Sequence, residues 1–441
     1  MNMTERCDLL VKSGWLVDGI DGIREDSAIA VQGRRIVATG HSSELASQYQ
    51  PQRTLNASDR IVIPGLINAH THASATLFRG YAPDVAGRTF FERMWRIEAL
   101  LTDEDVHIGA LAGCIEMIRN GVTGFANHFS HMDQVARAVE QTGLRAGLSR
   151  TMLDRGEKSA AEQEVAEGIA FAERWTGRCS RVQPMLGPHA AYTCSDKLLR
   201  HAGEQARRMG LTLHLHLAES AYEQELMLKR TGRTTVLHLK SLGFFDNNRV
   251  LGAHALCLDD DDLKILSSCD FHAAICATGK MNRGQGIADL LRLRDAGINV
   301  CLGTDGSASD NLDLLMGMKV THIAQNYLHQ RVCVMPPESI LQMATINGAH
   351  ALGWETGRLA PGHLADFVLV DANRIHLRPL ITKPRSNIVF NLVYYATGSD
   401  VDTCVIDGKI VMEGRKVLTV DEEDVSNELQ QRAQSLWNRA G

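Results

Sequence analysis

The chain has 441 residues, 44% hydrophobic and 22% charged, with 46 Lys+Arg against 52 Asp+Glu and a net charge of −6. This is the balance of an ordinary globular protein. The absence of a basic run speaks against nucleic acid as a partner, and no stretch reaches the roughly 18 apolar residues that a membrane helix needs. The N-terminal text MNMTERCDLLVKSG carries no apolar signal core. Ten cysteines lie scattered through apolar runs, among them Cys257, Cys276 and Cys301, with no CxxC pair. They read as reduced, buried thiols of a cytoplasmic protein.

In chain order, residues 1–60 read as short strands punctuated by glycine, for example DLLVKSGWLVDG and AIAVQGRRIVATG. The run IVIPGLINAHTH, Ile61 to His72, reads as a buried strand ending in a pair of histidines. Helical patterns such as Asp103 to Asn120 and Ser195 to Met209 then alternate with further apolar runs: GVTGFAN, LRAGLSRTM, RVQPMLGP, LTLHLHLA, VLGAHALC, DFHAAICA and INVCLGTD. Eight strands alternating with helices predict the α/β class and a closed (β/α)8 TIM-like barrel. The rival is a doubly wound open sheet, which usually carries a glycine-rich loop after its first strand; HTHASATLFRG has none. Beyond the barrel, Asp366 to Asn373 and Val401 to Gly414 read as strands with tight glycine turns, and Asp421 to Arg439 as a final helix. The expected division is a catalytic barrel over 61–360 and a small β-sandwich domain, with the final helix, built from 1–60 and 361–441.

Functional residues of such barrels sit at the C-terminal ends of the strands. His70 and His72 end the first strand, and residues two apart on a strand face the same side. His214 and His216 repeat that spacing on the fifth strand, His254 ends the sixth, and Asp305 ends the eighth. Three neutral imidazoles and one carboxylate suit zinc with a water in the remaining position; iron(II) is the alternative. Each group alone has an ordinary reading, a hydrogen-bonded core histidine or, for Asp305-Gly306, a turn pair. Four separate strand ends obeying one rule favour a metal site.

The order of these motifs resembles the amidohydrolase superfamily, in its cytosine deaminase-like branch with the triazine hydrolases and the methylthioadenosine/S-adenosylhomocysteine deaminases. The resemblance rests on PGLINAHTH, LGPHAAYTCS, HLHLAES, AHALCL, GTDGSASDN and ATINGAHALGWETGRLAPGHLADFVLVD, and covers nearly the whole chain. It implies that His70, His72, His216 and Asp305 are the metal ligands. His216 takes precedence over His214 because the family's His-x-x-Glu pattern is met by His216-Leu217-Ala218-Glu219. His214 then becomes a neighbouring core group or one that supports a ligand from behind. His254 matches a position that contacts the metal-bound water or ligates the metal directly. RVQPMLGPH lacks the lysine that bridges two metals in binuclear relatives, so one divalent ion is expected.

The resemblance further implies hydrolytic deamination of an amino-substituted N-heterocycle, with Glu219, His254 and Asp305 as the catalytic groups. Glu98 matches an acid that binds ribose hydroxyls and His189 a histidine beside the substrate. Both lean towards adenosine-type substrates, against solvated-face or structural roles for either residue. A departure follows the seventh strand, where Gly279-Lys280 stands in place of the Ser-Asn pair of many such deaminases. Lys280 and Arg283 read either as recognising an anionic group or as solvated loop residues, the commoner state of lysine. His128 and His131 either shape the pocket or cap the next helix. The competing functions are a triazine chlorohydrolase or aminohydrolase, a pterin- or guanine-type deaminase, and a catalytically silent scaffold. The expected partner is a small heterocyclic substrate, with a homo-oligomer left open.

Overall fold

The structure, a computed structural model, describes residues 4–440 except 86, 158 and 309. Residues 1–3 and 441 of the expected small domain, and Ser309 of GTDGSASDN, lie outside the described residues. In chain order the strands are β1 (Glu5–Val17), β2 (Ile23–Gln32), β3 (Arg35–His41) and β4 (Tyr49–Pro64). There follow β5 (Leu66–His72), β6 (Val122–Phe129), β7 (Arg145–Met152), β8 (Val182–Pro188) and β9 (Leu213–Leu217). Next come β10 (Val250–His254), β11 (Phe271–Ile275), β12 (Asn299–Leu302) and β13 (Asp305–Gly306). The last are β14 (Phe367–Asp371), β15 (Val401–Ile406), β16 (Lys409–Glu413) and β17 (Lys416–Val417).

The two chain ends pair with each other in one eight-stranded sheet, ordered β17-β16-β15-β14-β4-β1-β2-β3. Its pairs are antiparallel except β1 with β4. Alternation along the strands gives the sheet two apolar faces: Leu9, Val11, Ile29 and Val31 belong to one buried cluster, and Leu10, Ala28 and Ala30 to another. The expected tight turn falls at Asp407-Gly408, where φ is +56° and +76°. Those signs at both central residues fit the two-residue hairpin that Asp-Gly favours.

The central strands form the parallel sheet of a TIM-like barrel, ordered β12-β11-β10-β9-β8-β7-β6-β5-β13, with helices between them. Two expected strands are each split in the structure. Ile61–Pro64 of IVIPGLINA finish β4 in the other sheet, and the barrel strand starts only at Leu66. Pro64 has no N–H with which to continue a ladder, and the chain changes partners at Gly65. INVCLGTD is likewise interrupted at Gly303-Thr304. There the Gly303 N–H donates to Ile275 O at 2.9 Å on one side, and the Thr304 N–H to His70 O at 3.1 Å on the other. That interrupted strand, the eighth, joins the seventh barrel strand to the first. A Cβ at Gly303 would stand 2.9 Å from both His70 N and His70 O, so only glycine allows the close approach.

The chain divides into two compact units, Met1–Asn68 with Ile115–Gly124 and Asp313–Asp421, and Ala69–Cys114 with Phe125–Leu312 and Glu422–Gly441. The final helix, Glu422–Ala440, lies within one residue of its expected bounds. Within the second unit, the Trp437 indole N–H donates to Leu77 O at 3.0 Å, and Arg432 and Arg439 pair with the buried Asp105 at 3.3 and 3.0 Å. Among the described residues no helix is long and apolar enough to cross a membrane. All ten cysteines are free.

Candidate metal centre and active site

The strand ends deliver their histidines to one point in the second unit. His70 and His72 close β5, His216 lies on β9, His254 closes β10 and Asp305 opens β13. Asp305 Oδ1 stands 3.6 Å from His70 Nε2 and 3.5 Å from His72 Nε2. His216 Nε2 stands 3.3 Å from His72 Nε2. The ligand atoms of His70, His72 and Asp305 lie within 4.8 Å of one another, as do those of His70, His216 and His254.

The hydrogen bonds around these rings settle which nitrogen carries the proton. The Ser149 hydroxyl donates to Asn127 O at 2.8 Å, so its oxygen accepts from His214 Nδ1–H, also at 2.8 Å. The Nε2 of His214 is then an acceptor, and it takes the His70 Nδ1 proton at 2.8 Å. His70 Nε2 is left as a bare lone pair, fully buried and, among the described residues, without a hydrogen-bond partner. His72 Nδ1 donates to His128 O, and His216 Nδ1 to His189 O at 2.9 Å. In the neutral rings their Nε2 atoms are lone pairs too, facing each other at 3.3 Å. Burial lowers the His72 pKa, but the Asp305 carboxylate outweighs burial and raises it, so a cation or a proton is favoured at His72 Nε2. Two lone pairs at that distance repel unless a cation lies between them. Orienting a ligand imidazole by a hydrogen bond from its other nitrogen is the usual support of a metal site, so the donor set fits a divalent ion. Burial lowers the His70 pKa to about 3 and also lowers that of His216; both rings stay neutral and able to bind metal.

Beside the histidines, Glu219 follows β9 at the start of a turn in which Ala218 has φ +49°. Its carboxylate accepts from the Tyr192 hydroxyl at 2.6 Å and from the Lys280 ammonium at 2.9 Å. Burial alone would raise the Glu219 carboxyl, but the Lys280 charge and the Tyr192 hydrogen bond help hold it below the ordinary carboxylate range. Its Oε2 is 3.9 Å from His254 Nε2. Among the described residues neither buried ring nitrogen of His254 has a hydrogen-bond partner, and burial keeps that ring neutral. Left-handed backbone recurs here at non-glycine residues, with φ +83° at His254, +46° at Ala255 and +64° at Asp305. Such conformations cost about 1–3 kcal/mol each and gather where a site is held in shape by its surroundings.

These groups open into a cavity of about 400 Å³. Glu98 ends the helix Gly87–Glu98 and lines this cavity rather than a solvated face; burial pushes its carboxyl up to about 7. His189 also lines it. Its Nδ1–H donates to Thr193 Oγ1 at 2.8 Å, because the threonine proton goes to Ala190 O, and this leaves the His189 Nε2 as an acceptor. His128 is a lining residue whose Nε2 has no hydrogen-bond partner among the described residues, whereas His131 is the first residue before the helix Met132–Thr142, makes no side-chain capping bond and pairs with Asp103 at 2.6 Å. The solvated reading of Lys280 is overturned: it is 6% exposed, because the Glu219 carboxylate compensates its burial. Arg283 is half-buried over the Phe90 ring, 3.5 Å from its centroid.

Several working residues were not singled out in the sequence. Tyr192 sits in the motif LGPHAAYTCS, but nothing in the text marks its hydroxyl as a partner of Glu219. Ser149 lies mid-strand, where only the structure reveals the link to His70 through His214. Glu223 carried a signal, the Ser220-x-x-Glu223 spacing of a capping box. Ser220 Oγ does accept the Glu223 N–H at 3.2 Å, but the Glu223 carboxylate accepts from Ala218 N and Glu219 N at 3.1 and 2.7 Å instead. It thereby holds the strained turn that presents Glu219.

Comparison with known proteins agrees with this geometry. Residues 61–411 match the Amidohydrolase family. The chain is 39% identical to a 5-methylthioadenosine/S-adenosylhomocysteine deaminase of Pelotomaculum thermopropionicum, covering 96% of this chain and 97% of that one. It is 38% identical to a 5'-deoxyadenosine deaminase of Methanosarcina mazei, covering 98% and 99%. Among solved structures it is similar to a zinc-bound adenosine deaminase from Xanthomonas campestris, with a TM-score of 0.93, 26% identity, and coverage of 99% of this chain and all of that one.

Proposed function

Because this chain belongs to the amidohydrolase family, we propose that His70, His72, His216 and Asp305 hold one zinc ion and that the enzyme deaminates the adenine ring of a 5'-modified adenosine. The observation that carries this reading is the set of three imidazoles whose Nδ1 protons are committed elsewhere. Their Nε2 lone pairs converge with the Asp305 carboxylate beside Glu219. The relatives named for methylthioadenosine, S-adenosylhomocysteine and 5'-deoxyadenosine supply the substrate class.

A divalent metal in such a site lowers the pKa of a water to about 7 and makes it a nucleophile at neutral pH. The chain's own groups manage the protons. The water oxygen adds to the amino-bearing ring carbon. Asp305, held ionised well below the ordinary range, accepts one water proton. Glu219, held ionised beside Lys280 and Tyr192, takes the other and delivers it to the adjacent ring nitrogen, which makes the carbon more electrophilic. His254, neutral and with both nitrogens free, is placed to hydrogen-bond the attacking oxygen. The carbon–nitrogen bond then breaks, the Asp305 proton leaves with the amine as ammonia, and the ring keeps an oxo group.

Glu98 and His189 stand in the cavity as the substrate contacts, the first for ribose hydroxyls and the second for the substrate beside the metal. The ten free thiols support a reducing, cytoplasmic location. The test is a screen of the zinc-loaded enzyme against 5'-methylthioadenosine, S-adenosylhomocysteine, 5'-deoxyadenosine, guanine, pterins, cytosine and chlorotriazines, with ammonia and chloride both detected. Ammonia from the adenosine derivatives supports the reading. Chloride release, or ammonia from the other rings alone, contradicts it.

A further inference from the structure

We propose that Lys280 is a specificity-determining residue that donates a hydrogen bond to an oxo group on the substrate ring, next to the ring nitrogen served by Glu219. The enzyme would then prefer 2-oxoadenine nucleosides over plain adenine nucleosides. The inference rests on the proposed deamination and narrows its ring.

Lys280 lines the cavity and is almost wholly buried. An ammonium carries three N–H donors. Among the described residues its one side-chain partner is Glu219 Oε2, at 2.9 Å, so two donors remain uncommitted. Leaving buried donors of a charged group unsatisfied is costly, and a buried pair of charges contributes little stability for its own sake. A purely structural pair would be expected to use those donors on the protein. Here they are available to whatever fills the cavity.

The spacing selects the acceptor. The ammonium and the carboxylate are neighbours one hydrogen-bond length apart. A ring nitrogen and an oxo oxygen on the next carbon also lie side by side, with nearly parallel hydrogen-bond directions. Such an edge meets Glu219 and Lys280 together: the carboxyl serves the nitrogen and the ammonium serves the oxygen. In a plain adenine ring the next carbon carries only hydrogen. The following ring nitrogen points away from the first and cannot reach a donor lying beside Glu219. The array of amino carbon, ring nitrogen and oxo carbon is what the pair fits. On the purine of the proposed substrates this places the oxygen at position 2. No bond to Lys280 forms or breaks. In the tautomer of the 2-oxo base with its ring proton on N3, N1 keeps the lone pair that Glu219 protonates, and hydrolysis releases ammonia and leaves the 2,6-dioxo ring.

The test compares 2-oxoadenosine with adenosine on the zinc-loaded enzyme, and purin-2-one riboside with purine riboside in equilibrium binding by calorimetry. The expected result is a kcat/KM ratio of about tenfold or more in favour of the 2-oxo substrate, with tighter binding of the 2-oxo riboside. Lys280→Met should slow both substrates, through its effect on Glu219, and bring both ratios near one. Wild-type ratios near one, or ratios that Lys280→Met leaves unchanged, overturn the proposal. Should the variant fail to fold, the wild-type binding ratio decides. If no aminopurine releases ammonia, the deamination reading fails, and the binding comparison still tests Lys280 by itself.

Discussion

The Lys280 ammonium sits 2.9 Å from Glu219 Oε2, both side chains buried. The carboxylate three residues beyond His216 is thereby held below the ordinary carboxylate range, with the Tyr192 hydroxyl on its other oxygen. Such a group begins the cycle as a base and becomes an acid only after it has taken a proton from water. Removing that capacity separates proton transfer from metal binding. Glu219→Gln should keep the wild-type zinc content by elemental analysis and lose about 10²–10⁴-fold in kcat. Wild-type turnover in this variant would remove Glu219 from the chemistry.

The relay from Asn127 O through Ser149 and His214 to His70 fixes the His70 tautomer. His214→Phe keeps a ring in the core but removes the acceptor for the His70 Nδ1 proton. Zinc affinity, read by competition with a chromogenic chelator, should fall about 10–100-fold. Ser149→Ala should move it in the same direction by less. Unchanged affinity in both variants would show that the relay does not tune the site.

The Glu98 carboxyl, pushed up to about 7 by burial, gives substrate binding its own pH dependence. It is neutral below that value and ionised above it, and the ionised form accepts the stronger hydrogen bonds from ribose hydroxyls. KM for a ribonucleoside should therefore fall as pH rises from 6 to 8, relative to KM for its 2',3'-dideoxy analogue. Glu98→Gln should flatten that ratio. A wild-type ratio that does not vary with pH would take Glu98 away from the ribose.

Much of the site was legible in the sequence because its groups follow one rule of position. His70, His72, His216, His254 and Asp305 all stand at strand ends of an alternating α/β chain, and the structure gathers them. The ends of the chain were legible as strands for a similar local reason, the period of two and the Asp407-Gly408 turn. What stayed hidden depends on contacts between residues far apart in the chain. The burial of Lys280 follows from a partner 61 residues away; the stretch read as a loop is the short helix Ala277–Asn282, and a lone lysine there carries no sign of that partner. The split of IVIPGLINA at Gly65 is a change of partner strand, to which hydrophobic periodicity is blind. In the sequence His214 reads as either a core group or a support for a ligand, and only its contacts with Ser149 and His70 decide between the two.

Gly303 tests how the ring of strands supports the proposed metal site. A methyl group there would stand 2.9 Å from the His70 backbone and 3.1 Å from Cys276 Sγ. Gly303→Ala should destabilise the fold by about 1–3 kcal/mol, seen as a lower Tm, and should reduce zinc retention because the His70 backbone must shift. Wild-type stability and metal content would mean that the interrupted strand tolerates the displacement.

The most direct measurement of the central claim is deamination of 5'-methylthioadenosine by the purified enzyme before chelation, after chelation and after zinc is restored. The ultraviolet change of the ring and the ammonia released are followed together. The account predicts one ammonia per substrate consumed, loss of activity in the metal-free protein, and recovery at about one zinc per chain. Full activity in metal-free protein, or no ammonia at any zinc content, would contradict it.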